Sequence, residues 1–151
     1  MDLSKLQRGE IIAAVGGILL AISIFRPAYS PSMNPNAMVE GSRDSVSAWQ
    51  VHDILRWVYL LAAAAPLILS YIILRDHELS WPRGELTAVT GIFAIGLIFY
   101  NGVLDRPGEP SGQISLAIGW YGMLIGALSI AVGGAMRSGE SERRRKPPGV
   151  L

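Results

Sequence analysis

Four stretches of this chain lack aspartate, glutamate, lysine and arginine, and short polar segments separate them. They are 15, 18, 19 and 27 residues long and cover residues 11–25, 57–74, 86–104 and 110–136. A helix needs roughly 20 residues to cross the hydrocarbon core of a bilayer. A soluble core could supply one such run by chance, but four in one short chain predict four membrane-spanning helices.

Capping and stop signals set the predicted bounds of these helices. Ser47 and Gln50 have the spacing of a capping box, which would start the second helix before its uncharged run. Asn101-Gly102 is typical of a helix end. The prediction is an all-α membrane protein with one four-helix transmembrane domain, 1–136, and a basic flexible tail, 137–151. Its helices cover about residues 6–26, 48–75, 83–101 and 113–136.

Basic residues are divided unequally between the two sides of the predicted bundle. Nine lie on the side of the N-terminus, the second connection and the tail, whereas four lie on the other side. The positive-inside rule therefore predicts a multi-pass protein of the cell membrane with both termini in the cytoplasm. A cleaved signal peptide is the alternative for the first run, but FRPAYSPS places proline near every candidate cleavage bond.

The motif Arg-Gly-Glu occurs twice, each time at the start of an uncharged run. Aligning the copies pairs Ala13 with Ala88 and Gly16 with Gly91, which predicts two helical hairpins related by duplication. In one interpretation each copy is a membrane-entry device, with Arg near lipid phosphates and Glu at the positive end of the helix dipole. A sharper hypothesis joins the hairpins through ion pairs across the repeats. Those pairs are Arg8 with Glu85 and Arg83 with Glu10.

Small residues form a continuous stripe on the predicted fourth helix. They recur at spacings of three and four and are Gly119, Gly122, Gly126, Ser129 and Gly133, with Gly17 in a similar stripe on the first helix. Small residues let helix backbones approach closely in lipid. The stripe therefore predicts packing within the bundle or, alternatively, the interface of a homo-oligomer. Ala127 is expected on the lipid-facing side of the same helix.

The uncharged runs also lack histidine, which argues against a proton pump, an ion-coupled transporter or a charge-selective pore. The chain has no cysteine, and its two histidines, His52 and His77, are predicted on opposite sides of the membrane. We therefore expect no metal site. The sequence shows no nucleotide-binding loop and no nucleophile motif, so we expect no enzyme activity and no cofactor. The basic tail fits anionic lipid headgroups and not nucleic acid.

One cluster on the predicted outer side is a candidate binding site for a ligand or a partner. The first outer connection is proline-rich and long enough to fold over the bundle, and it leads into the polar start of the second helix. The candidate residues are Arg26, Tyr29, Trp49, His52, Asp53 and Arg56. An aromatic belt with surface ion pairs is the simpler interpretation.

Three short segments resemble a group of small four-helix membrane proteins that is common in actinobacteria. LSKLQRGE leads into the first helix, SIFRPAYS ends it, and SAWQ precedes the second. That group typically shows Phe-x-Pro-Trp-Tyr and Ser-Ala-Trp motifs; Phe25, Pro27 and Tyr29 match, and Ala28 stands where Trp is usual. The resemblance implies the four-helix topology and does not point to any particular activity. Claudin-type proteins have a similar outline, but this chain lacks their paired loop cysteines.

The predicted function is that of a non-enzymatic structural or accessory membrane protein. Such a protein would engage lipids and a membrane-protein partner through its outer connection and its small-residue stripes. A small oligomeric channel or transporter is the alternative, because backbone and hydroxyl groups can also line a pore.

Overall fold

The computed structural model describes residues 3–77, 80–145 and 149. That part of the chain is mostly helical, and the prediction of a helical protein is confirmed. The α-helices are α1 (Arg8–Ile24), α2 (Ala48–Val51), α3 (Leu55–Leu74), α4 (Arg83–Phe99) and α5 (Ile118–Arg145). The strands are β1 (Pro27–Pro31), β2 (Val46–Ser47) and β3 (Ile114–Leu116), and a π-helical turn, Tyr100–Leu104, extends α4.

Three of the described helices are long and apolar enough to cross a membrane. They are Leu55–Leu74, the continuous segment Arg83–Leu104, and Ile118–Glu140 within α5. Helix α1 is apolar as well, but it has only 17 residues.

Helix α5 lies at the centre of the bundle, where α1 and α4 pack on two of its faces and α3 packs mainly on α1. On the α1 face, a Cβ added at Gly126 would lie 2.7 Å from the Leu20 nitrogen and 2.8 Å from the Gly16 oxygen. On the α4 face, a Cβ added at Gly134 would lie still closer to the backbone nitrogen of Ala88. Backbones this close require small residues on both faces of α5.

The two Arg-Gly-Glu copies dock in the same way on neighbouring positions of α5. Gly9 of the first copy lies against the carbonyl of Gly133, and Gly84 of the second lies against the carbonyl of Gly134. The expectation that Ala127 faces lipid is wrong, because its side chain is fully buried. It is buried because α4 covers the face of α5 next to the stripe.

The prediction of an all-α chain missed a small antiparallel sheet at one end of the bundle. The strand order is β2-β1-β3, and Tyr29 pairs with Val46 on one side and with Leu116 on the other. Backbone hydrogen bonds of 2.9 and 3.0 Å between Met38 and Glu109 join the two connections. We call residues 27–47 and 105–117 the cap, this end of the bundle the sheet end, and the opposite end the terminal end.

The second predicted helix is interrupted. The predicted capping box of Ser47 and Gln50 is confirmed, but α2 ends at Val51 because His52 adopts an extended backbone with φ −109° and ψ 97°. A separate helix, α3, begins at Leu55.

The bounds of the fourth predicted helix also differ from the structure. It begins at Ile118, because residues 114–116 pair with β1 as strand β3. It continues to Arg145, where sequence analysis had a flexible tail from residue 137. Glutamate and arginine are good helix formers, and the first proline of this region is Pro147. Residues 146–148, 150 and 151 of the predicted tail lie outside the described residues.

Candidate functional site

A chain of polar aromatic contacts joins the cap to the bundle at the sheet end. The Tyr29 hydroxyl of β1 lies 3.1 Å from Nε2 of His52, and the His52 ring packs edge-on against Tyr59 of α3 with ring centroids 6.2 Å apart. The Tyr59 hydroxyl accepts a hydrogen bond of 3.5 Å from Nδ2 of Asn101 in the π turn. Both tyrosines are buried. We call these four residues the tyrosine–histidine network.

The π turn gives this asparagine its position. The Asp105 N–H donates to the Tyr100 carbonyl five residues earlier, at 2.9 Å. Within the helix the Ile98 carbonyl accepts the indole N–H of Trp120 at 3.0 Å, and Gly102 leaves room for that indole. Single π turns inside α-helices occur frequently at functional sites.

Burial disfavours the charged forms of Tyr29 and His52. Burial raises the pKa of Tyr29 well above its ordinary value; nearby Tyr59 adds to the rise, and the Arg106 guanidinium partly offsets it. Burial lowers the pKa of His52. A neutral imidazole has one donor and one acceptor nitrogen, so it can bond the Tyr29 hydroxyl without any ionised group.

A second group at the sheet end consists of Phe25, Trp49, Arg56 and Trp57, which we call the aromatic surface. The Arg56 guanidinium carbon lies 5.1 Å from the Trp49 ring centroid and 5.9 Å from that of Trp57, within cation–π range. Trp49 also packs against Phe25, with centroids 5.0 Å apart. Because Phe25 and Trp57 are exposed, this surface is accessible from outside the protein.

The structure divides the predicted outer cluster into these two groups. Tyr29 and His52 come together in the network, whereas Trp49 and Arg56 come together on the aromatic surface. The break at His52 separates residues that a continuous helix would have placed on one face.

Asp53 and Arg26 contribute less to either group. Oδ1 of Asp53 lies 3.8 Å from Nη1 of Arg56, but the aspartate side chain is 89% exposed, so this pair contributes little stability. Arg26 is exposed, and no contact among the described residues joins its side chain to either group; its carbonyl lies against Gly119.

Sequence reasoning missed Tyr59 and Asn101 as members of the site. Tyr59 lies in an uncharged run, where its hydroxyl is the only signal, and the Asn101-Gly102 pair predicts only a helix end. Arg106 lies in the connection that follows the π turn. Its Nε donates to the Gly102 carbonyl at 2.8 Å, and its Nη1 donates to the Ile114 carbonyl, so it ties the π turn to β3.

The terminal end holds a buried ion pair between α1 and α5. Oε1 of Glu10 lies 3.1 Å from Nε of Arg137, at ion-pair distance but without hydrogen-bond alignment. The other carboxylate oxygen of Glu10 accepts the Gln7 N–H at 2.8 Å. Neither predicted cross-repeat pair forms among the described residues, and Arg8 and Glu85 are exposed. The physical reason is that α5 lies between α1 and α4.

Behind this pair lies a cavity of about 10 Å³, lined in part by Glu10, Ser70, Thr87 and Arg137. That volume holds about one water molecule. The Ser70 hydroxyl donates to the Pro66 carbonyl at 2.8 Å, so it is satisfied within its own helix. The interior of the bundle is therefore closely packed at this level.

Within the described residues, no group of three or more histidine, aspartate or glutamate side chains is placed to hold a metal ion. No protein-family model, curated protein or solved structure matches the chain. The resemblance to actinobacterial four-helix membrane proteins therefore stays a prediction.

Proposed function

We propose that this chain is a four-span membrane protein that acts as a non-enzymatic accessory or structural subunit. Both termini would lie in the cytoplasm and the sheet end outside, as the distribution of basic residues favours. The observation that carries the proposal is an ordered cap with an exposed aromatic surface on a closely packed apolar bundle.

The exposed face of α1 supports its role as the fourth span. Ile11, Val15, Ile18 and Ile22 recur at spacings of four, three and four and are all exposed. Such a continuous apolar face is unusual in water, whereas lipid would cover it. A helix of 17 residues is about 26 Å long, and flanking arginines can snorkel to make up the difference from a hydrocarbon core of about 30 Å.

The packing of α5 favours an accessory role over a pore within one chain. Its glycines lie against the backbones of α1 and α4, and the cavity behind Glu10, of about 10 Å³, is too small for a continuous water path. A channel would then have to form between several copies.

The aromatic surface is the proposed contact with a membrane-protein partner. Tryptophan and arginine dominate the energetics of many interfaces because they bury large, well-oriented groups. Arg56 already contacts two indole rings before any partner arrives, so little side-chain entropy remains to be lost on binding.

Site-specific photo-cross-linking in membranes tests this function. A cross-linking amino acid at Ile54, which is 78% exposed and lies two residues before Arg56 in the chain, should yield one defined protein adduct. The same group at Met33, which is fully exposed elsewhere on the cap, is the control and should yield none. Arg56→Ala should abolish the Ile54 adduct.

Adducts of equal yield at both positions, or an Ile54 adduct that survives Arg56→Ala, would contradict a specific contact at the aromatic surface. Solute flux through liposomes containing only this protein would favour the channel instead.

A further inference from the structure

We infer that a groove between α3 and α4 binds one anionic phospholipid, with an acyl chain along the groove and the phosphate at Arg83. The inference rests on the proposed placement in a membrane. It adds a defined ligand site that is separate from the aromatic surface, because the groove opens toward the terminal end.

The groove exists because α3 packs closely on α1 but only loosely on α4. Gly17 of α1 lies against the backbone of Ala63, whereas α3 and α4 leave an open volume of about 230 Å³ between them. That is far more than the 10–15 Å³ that one water requires. Nine described residues line the groove: Ala65, Ile68, Leu69, Ile72, Trp81, Arg83, Leu86, Thr87 and Thr90.

The wall of the groove is apolar even where its residues are not. The Thr87 hydroxyl donates to the Arg83 carbonyl at 2.9 Å, and the Thr90 hydroxyl donates to the Leu86 carbonyl at 2.8 Å. Both threonines therefore have their hydroxyls satisfied within α4, which leaves their methyl groups to complete an aliphatic lining. An aliphatic lining of this kind is sufficient to bind a hydrocarbon chain.

The end of the groove is cationic. Arg83 lines both the groove and an adjoining open pocket of about 510 Å³, which Lys5, Ile73, Asp76 and His77 also line. Nζ of Lys5 lies 2.6 Å from Oδ2 of Asp76, so these two charges neutralise each other. Among the described residues Arg83 forms no ion pair, so its guanidinium can meet a negative headgroup at the mouth of the groove.

These two features together match one class of ligand. An apolar channel continuous with a single cationic end fits an amphiphile with a hydrocarbon chain and a negative headgroup. A free phosphate would leave the groove empty. An extended peptide segment would bring unpaired backbone polar groups against a wall with no free partner for them, which is costly in an apolar environment. Trp81 lies at the same end, as expected for a side chain at the headgroup level.

Native mass spectrometry of the full chain in detergent, with added lipid, tests the inference. The probes are phosphatidylglycerol, phosphatidylcholine with the same acyl chains, and inorganic phosphate. We expect one bound phosphatidylglycerol, weaker phosphatidylcholine binding and no effect of phosphate. Arg83→Gln should weaken phosphatidylglycerol binding about fivefold, which corresponds to the ~1 kcal/mol that one basic side chain contributes near an anionic membrane surface.

A control for the headgroup contact and a variant of the groove complete the test. Arg8→Gln is the matched control, because Arg8 occupies the equivalent position of the repeat, is exposed and does not line the groove; it should bind as the wild type does. Ala65→Phe fills the groove and should reduce binding of both lipids. Equal loss in Arg83→Gln and Arg8→Gln, or competition by inorganic phosphate, would overturn the inference. Recovery of the protein outside the membrane fraction would instead refute the proposed function.

Discussion

Glu10 of α1 lies 3.1 Å from Arg137 of α5, and its carboxylate also accepts the backbone N–H of Gln7. The glutamate is 5% exposed, so this ion pair attaches the first turn of α1 to the far end of the central helix in a largely desolvated setting. Glu85, at the same position of the second repeat, is exposed. Both copies of the Arg-Gly-Glu motif therefore pack against α5, but among the described residues only the glutamate of the first copy forms an ion pair.

Breaking this pair should destabilise the bundle. Removing one member of a buried pair leaves an uncompensated charge. We expect Glu10→Gln to lower the free energy of unfolding by about 2–3 kcal/mol. This is less than for a fully buried pair, because Arg137 is partly exposed. Thermal unfolding in detergent measures the change. Glu85→Gln is the control and should stay within about 0.5 kcal/mol. If the Glu10→Gln/Arg137→Gln double variant loses as much stability as the two single variants together, the two side chains are not directly coupled.

Gly126 should not accept even one added carbon. A Cβ there would lie 2.7 Å from the Leu20 nitrogen and 2.8 Å from the Gly16 oxygen, and both are backbone atoms that cannot move alone. We expect Gly126→Ala to cost about 1–3 kcal/mol in detergent unfolding. Gly96→Ala on α4 is the control, because nothing lies within 4 Å of its added Cβ. That change should be neutral or stabilising by up to about 1 kcal/mol. Equal effects at the two positions would refute close backbone packing on α5.

The cap should lose stability in mild acid through His52. Burial places the folded-state pKa of His52 below its ordinary value of 6.5, so the unfolded cap binds more protons than the folded one as the pH falls below that value. The stability that depends on a neutral His52 is therefore fully present above about pH 6.5. It declines below that pH until the pH reaches the folded-state pKa. Tyr29 and Tyr59 contact the imidazole, and the charged Arg106 lies near Tyr29.

Unfolding midpoints at pH 7.5 and 5.0, followed by tryptophan fluorescence, measure this effect. His52→Gln should remove most of the wild-type decline in acid, whereas Asp53→Asn should keep it, because that side chain is exposed. A decline of the same size in His52→Gln would assign the acid sensitivity to another group.

Orientation in the membrane is testable because the chain contains no cysteine. Met33→Cys in the cap and Gly139→Cys on α5 both place a thiol at an exposed position. In intact cells an impermeant maleimide should label the cap variant and should label the α5 variant only after lysis. The reverse pattern would place the aromatic surface in the cytoplasm.

The sequence alone determined the helical character of the chain, the capping box at Ser47 and the docking role of small residues on α5 to a first approximation. These features depend on local properties: the absence of charge over a run, the spacing of two polar residues, or the recurrence of glycine every three or four positions. Such properties act within one helix, so no knowledge of its neighbours is needed to recognise them.

Only the tertiary structure decided which residues meet. Glu10 pairs with Arg137 and not with Arg83, because α5 separates the two repeats. Tyr29, His52, Tyr59 and Asn101 form one network because a break after α2 and a π turn after α4 redirect two of them. The three strands of the cap are two to five residues long and pair across distant connections. Their partners are far away along the chain, and a contact between distant segments leaves no periodic signal in either one.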